Sequence, residues 1–289
     1  MRRVMIGLGL LGLAQSALAA DLDYPYLRGS NIPTYRWAGF YAGGQVGYSG
    51  ATYDFSNGVG SLVSFVLRGY PTLAGDVSGW NVFGKASTSA FTYGGFVGYN
   101  AEWEGVILGV ELNYNRTSLF KAVSASTSGP DTNPLFLSST EFYTFTNVTV
   151  TGTTSLKITD VAMLRGRAGW EAGPFLPYAF AGIAVGRADV TQSASVTATY
   201  DDNQCSTDAF GDLVCNTVPP LNRTLGPFLP SSSTQSGKFV YGGAGGLGLD
   251  MLLMTNVFAR LEWEYLLFQP IDGIHANINS VRAALGFFF

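Results

Sequence analysis

The last nine residues, Val281 to Phe289, put an apolar side chain at every odd position: Val281, Ala283, Leu285, Phe287 and Phe289. Ser280 and Arg282 fall in the other set. Alternation of this kind describes a β-strand with one greasy face. In a soluble sheet, three terminal phenylalanines would form an unprotected, sticky edge. A strand facing hydrocarbon escapes that problem, provided that the sheet closes on itself and every backbone amide finds a partner.

The rest of the chain is built the same way. Hydrophobic residues make up 47% of it and charged residues only 12%, with 37 glycines, 20 phenylalanines and 15 tyrosines. Past the first twenty residues, however, no stretch reaches the roughly 18 consecutive apolar residues that a membrane helix needs. Apolar content without apolar runs means interleaving, which a transmembrane β-barrel requires because lipid-facing and lumen-facing positions alternate. A secreted β-sandwich is the plainer alternative. The N-terminus reads as an export signal over residues 1–19: Arg2 and Arg3, an apolar run from Val4 to Leu13, then Ala17-Leu18-Ala19 as a small-x-small cleavage site. Cleavage after Ala19 takes the formal charge from −4 to about −6. A mildly acidic product does not suggest nucleic-acid binding.

Residues 20–36, with Pro25 and Pro33, read as a periplasmic lead-in, and 37–289 as the barrel. Eight strands are expected near 37–51, 88–102, 106–119, 155–171, 175–191, 237–252, 256–269 and 278–289. In the seventh, Ala259, Leu261, Trp263, Tyr265 and Leu267 oppose Arg260, Glu262 and Glu264. In the third, Val106, Leu108, Val110, Leu112 and Tyr114 oppose Glu111, Asn113 and Asn115. In the fourth, Ala162, Leu164, Ala168 and Trp170 oppose Arg165 and Arg167. An arginine in the lipid midplane would cost about 2–4 kcal/mol, so the charged parity points inward. Three connections of about four residues alternate with long ones near 52–87, 120–154 and 192–236 and a short one near 270–277, as short periplasmic turns and longer external loops would. Trp37, Trp103 and Trp170 fall at periplasmic strand ends, where an aromatic girdle is expected. The Ser- and Thr-rich loops include segments such as 144–154 able to extend the hairpins. With the chain stopping at the last strand, no C-terminal peptidoglycan-binding module is expected.

Trp37-Ala-Gly-Phe-Tyr-Ala-Gly-Gly-Gln-Val-Gly-Tyr48 resembles the opening strand of the alphaproteobacterial outer-membrane β-barrel family, often called porin-like or opacity-type. Leu164-Arg-Gly-Arg-Ala-Gly-Trp170 followed by Leu176-Pro-Tyr-Ala-Phe-Ala-Gly-Ile-Ala-Val-Gly186 is similar to its fourth and fifth strands. The resemblance implies an eight-stranded barrel in the outer membrane with an envelope or surface role and no catalytic residues. It also implies that the alternating end at Val281, Ala283, Leu285, Phe287 and Phe289 is the assembly signal. The partners expected are outer-membrane lipids, periplasmic chaperones and the barrel-assembly machinery; the sequence names no surface ligand.

Other motifs admit competing readings. Glu111, Arg165, Arg167, Arg260, Glu262, Glu264 and Arg282 form either an ion-pair network filling a narrow lumen or a solute-selecting constriction, and a ring of eight strands favours filling. Gly243-Ala-Gly-Gly-Leu-Gly248 matches a dinucleotide-binding pattern but lies within a strand and lacks the helix that pattern needs. Cys205 and Cys215, in an exported chain, are expected to form a disulfide. Asp201, Asp202, Asp208 and Asp212 follow no calcium-loop spacing. His275, the single histidine, sits near the outer rim where a barrel hydrolase would use one, without a serine at a matching spacing. It cannot supply a zinc site with two bonded cysteines. No cofactor is expected. The leading expectation is thus a non-enzymatic envelope protein, ahead of a small-solute porin and, last, a hydrolase.

Overall fold

The computed structural model describes residues 36–289 except 132 and 227. The expected signal segment 1–19 and nearly all of the lead-in lie outside the described residues. In chain order the elements are β1 (Gly39–Asp54), α1 (Gly60–Val66), α2 (Pro71–Val77), β2 (Lys85–Trp103), β3 (Val106–Gly129), β4 (Leu135–Phe136), β5 (Glu141–Trp170), β6 (Phe175–Thr207), β7 (Leu213–Leu225), β8 (Ser231–Met254), β9 (Val257–Phe268) and β10 (His275–Phe288). Antiparallel pairing runs β1-β2-β3-β5-β6-β8-β9-β10 and returns to β1, an eight-membered ring. β4 and β7 stand outside it, attached to the far ends of β5 and β6.

Tight turns close the ring at one end. Between β2 and β3 only Glu104 and Gly105 intervene, with φ of 52° and 79°. Positive φ at both central residues is what a two-residue hairpin of this twist requires, and the glycine meets it without strain. The opposite end carries the long connections. There β3, β5 and β6 do not stop near 119, 155 and 191 as the alternation of apolar residues suggested. β5 and β6 pair from Tyr178 and Gly169 up to Gln204 and Glu141, interrupted only by two register shifts.

The outward face changes chemistry along these strands. In the lower half it bears Val106, Leu108, Val110, Leu112, Leu164, Leu261 and Leu285, all exposed. Higher up, Ser124 meets Thr153 at 2.9 Å and Ser126 meets Thr151 at 3.0 Å. That switch marks where hydrocarbon gives way to water. The inward face stays apolar above the switch: Leu119, Val148, Val150, Leu156, Ile158, Val190 and Val196 are buried. Helices α1 and α2, absent from the sequence reading, sit over this core and bury Val63, Leu67, Leu73 and Val77. The strands therefore build a membrane barrel and, continuous with it, a folded extension with its own core.

Candidate functional site: the filled lumen

Alternation carries one side chain from every second position into the barrel. At mid-height these are charged. Arg165 on β5 donates to Glu111 on β3 (Nη2 to Oε1, 2.6 Å) and reaches Glu262 on β9 with both terminal nitrogens, at 2.8 and 2.6 Å. Arg260 donates to Glu111 at 2.8 Å and holds Asp250 bidentately at 2.8 and 3.1 Å. Arg167 donates to Asp250 at 2.7 Å. Arg282 donates to Glu262 at 2.6 Å and also pairs with Glu264. The hydroxyls of Tyr41 and Tyr178 complete the shell, each donating at 2.9 Å to Glu111 and Glu262 respectively.

All seven charged residues singled out from the sequence converge here, each no more than 4% exposed. The sequence reading did not count an eighth, Asp250, among the lumen charges, although it falls within the expected strand 237–252. β8 continues through it, and the apolar Leu247 and Leu249 on the alternate parity were the available signal. With Asp250 the ledger balances: Glu111, Asp250, Glu262 and Glu264 against Arg165, Arg167, Arg260 and Arg282. Balance matters because an unpaired charge in such surroundings costs several kcal/mol, roughly, even after relaxation. The rings of Phe180, Tyr178 and Phe96 lie 4.1, 3.8 and 4.3 Å from the guanidinium carbons of Arg165, Arg167 and Arg260.

The glycine pattern of β8 has its explanation in the same place. A Cβ on Gly246 or Gly248 would overlap the rings of Phe180 and Tyr178 respectively. These glycines make room for aromatic side chains from β6; they cradle no phosphate.

Below the charged layer, Trp37, Tyr41, Phe96, Ile107, Leu176, Phe258 and Phe288 fill the lumen. This corrects one expectation. Trp37 is fully buried, its ring edge-on to Phe288 at 6.0 Å and its indole N–H on the Gly173 carbonyl at 3.3 Å. It shares the parity of Tyr41, Gln45 and Ser49, the inward residues of β1, and it closes the interior. Trp103 and Trp170 are exposed by 69% and 60% on the outer face, in company with Phe40, Tyr99 and Phe175. Trp263 also faces outward, bonding Asn279 at 2.8 Å. Above the charged layer, a cavity of about 20 Å³ is lined by Ser49, Thr92, Asn115, Ser280 and Arg282. It has room for about one water. The apolar core and α1–α2 follow directly.

The remaining candidates lie elsewhere. Val281, Ala283, Leu285, Phe287 and Phe289 are exposed on the outer face of β10 and the terminal residue. Cys205 and Cys215 face each other across β6 and β7 and are joined by a disulfide. Asp201 accepts the Asn222 amide, Asp202 pairs with Arg223 at 2.8 Å, and Asp208 caps the turn before Asp212. Among the described residues no three potential ligands gather for a metal. His275 is exposed and in register with Asp54. Asp54 takes the Ser56 hydroxyl at 2.6 Å, which holds its carboxyl below the usual range. The hydroxyl thus donates to the acid, where a serine–histidine–acid triad would have it donate to the histidine.

The model of the outer membrane protein beta-barrel domain matches residues 6–287. The chain belongs to that family. As an outer membrane protein β-barrel it is placed in the outer membrane, and its tight turns and long loops take the usual periplasmic and external sides. No curated protein matches it. Among solved structures it is similar to the attachment invasion locus protein Ail of Yersinia pestis, at 10% identity over 87% of this chain and 99% of that one, TM-score 0.35. Neisserial surface protein A is 15% identical over 87% and 98%, TM-score 0.36. The N-terminal β-barrel domain of Pseudomonas aeruginosa OprF is 12% identical over 86% and 97%, TM-score 0.27. The fold assignment rests on the closed ring and the family match rather than on these likenesses.

Proposed function

We propose that this outer membrane protein β-barrel is a non-conducting anchor that holds a folded extension outside the cell for surface contacts. One observation carries the reading: the lumen is occupied along its length by an aromatic layer, a neutralised charge layer and an apolar core in succession. A porin needs a continuous wet path, and here the charges are spent on one another. The exposed apolar side chains at the far tip, among them Phe136, Phe210 and Leu213, support a contact role. Cleavage after Ala19 and hand-over by the terminal Phe289 to the assembly machinery fit the export route such a barrel takes. The likeness of strands 37–48 and 164–186 to alphaproteobacterial barrels supports an origin in that group.

Single-channel recording in planar bilayers tests the anchor. The refolded protein is expected to leave membrane conductance at its baseline. Steady conductance steps that vanish in Arg165→Gln or Glu262→Gln would establish a charged-lumen pore instead.

A further inference from the structure

The apolar belt is interrupted on one side. Between β6, β8 and β9 runs an open groove of about 470 Å³, walled by Ile183, Val185 and Leu267 with Tyr241 beside them. Its floor is bare because Gly243 faces outward there, and a Cβ at Gly243 would meet no atom within 4 Å. Two residues beyond Val185 on the same face, roughly 7 Å along the strand, comes Arg187, exposed.

The Arg187 guanidinium reaches across β8: a Cβ on Gly237 would lie 3.1 Å from its Nη2. Two acids flank it without forming an ion pair. Asp189 accepts the Gly237 amide at 2.7 Å, and Asp160 accepts the Tyr114 hydroxyl at 2.6 Å. Among the described residues no carboxylate comes within the 4.0 Å that would make an ion pair with Arg187. Arg116, also exposed, lies two strands away on β3 with Asp160 between them, on the side opposite to the one the Arg187 guanidinium covers. Across the barrel, Ser87, Ser89 and Asn279 are uncharged outward positions, and the exposed Lys85 above them is paired with Asp54 at 3.7 Å.

The geometry points to a lipid site: the groove takes an acyl chain of an outer-leaflet lipid, and Arg187 takes that lipid's phosphate. Hydrocarbon fits the groove, which lies in the apolar belt. The guanidinium stands where that belt ends, the height of headgroup phosphates, and offers planar donors suited to phosphate oxygens. The inference rests on this end of the barrel facing outward, as the family and the turn lengths require, and does not depend on whether the lumen conducts.

Native mass spectrometry of the refolded barrel in detergent, titrated with diphosphoryl lipid A or its dephosphorylated form, tests it. The expected result is one retained lipid per barrel, with the phosphorylated form preferred and excess inorganic phosphate failing to displace it. Arg187→Gln is expected to lower retention of the phosphorylated form about fivefold and leave the dephosphorylated form unchanged. Gly243→Leu, whose Cβ meets no atom within 4 Å and whose side chain occupies the groove, is expected to lower both. Equal retention of the two lipids by the unaltered protein, or an Arg187→Gln variant that still prefers phosphate, would overturn the site. Heat-dependent gel mobility of each variant verifies that the barrel is intact.

Discussion

Arg165 is the side chain on which most of the interior depends. It alone bridges Glu111 on one side of the ring and Glu262 on the other. Its removal leaves two carboxylates with too few donors in a space closed to water. Arg165→Ala is therefore expected to cost about 3–5 kcal/mol. Leu164→Ala, one residue away but facing lipid, is expected to cost far less. Equilibrium unfolding by urea in detergent or lipid vesicles measures both, and similar losses would refute a structural role for the ion pairs. The pairs need not add net stability over a well-packed apolar filling. What they supply is register, because sliding β3, β5, β8, β9 or β10 by one residue would turn its charge into hydrocarbon.

Among the elements, α1 and α2 have the most independent role. Val63, Leu67, Leu73 and Val77 are almost fully buried, and each such side chain contributes roughly 1.5–3 kcal/mol. Replacing residues 60–77 by a Gly/Ser linker of equal length is expected to lower the thermal midpoint while the charged and aromatic layers keep the lumen shut. A thermal melt followed by circular dichroism, paired with a conductance recording on the same sample, reads both effects; an unchanged melt would mean the helices do not pack as the structure has them. These elements also show where the sequence was readable. Strands in lipid announce themselves, because the outer face must be apolar and the inner face is polar, as in 106–115 and 259–267. Above the bilayer both requirements lapse: Thr and Ser serve as outward residues and Ala or Val as inward ones, so β3, β5 and β6 look like loop. The helices were legible in principle, with Val63, Val66 and Leu67 and then Leu73, Ala74 and Val77 at helical spacing. Asp250 went uncounted because the inward positions before it, Gly242, Ala244, Gly246 and Gly248, are too small to mark a parity, and Trp37 is misassigned to the girdle on its chain position alone, although it shares the inward parity of Tyr41 and Gln45.

For the whole molecule, closure of the ring is the property to test. With no free edge in the membrane part, detergent cannot peel off a strand, and unfolding must be all or nothing. An unboiled sample is expected to migrate differently from a boiled one on a denaturing gel, with a strand-dominated circular dichroism spectrum. Identical mobility, or a protein soluble without detergent, would be incompatible with the closed barrel.

The ladder between β5 and β6 runs from beside the periplasmic turn to the outer tip, its pairing broken only by two register shifts. A receptor arriving at that tip meets a surface whose orientation to the cell was settled during folding. Little freedom is left to lose on capture, so even a small contact area can bind appreciably. The angle of approach is fixed as well, which excludes partners that could reach only a swivelling loop.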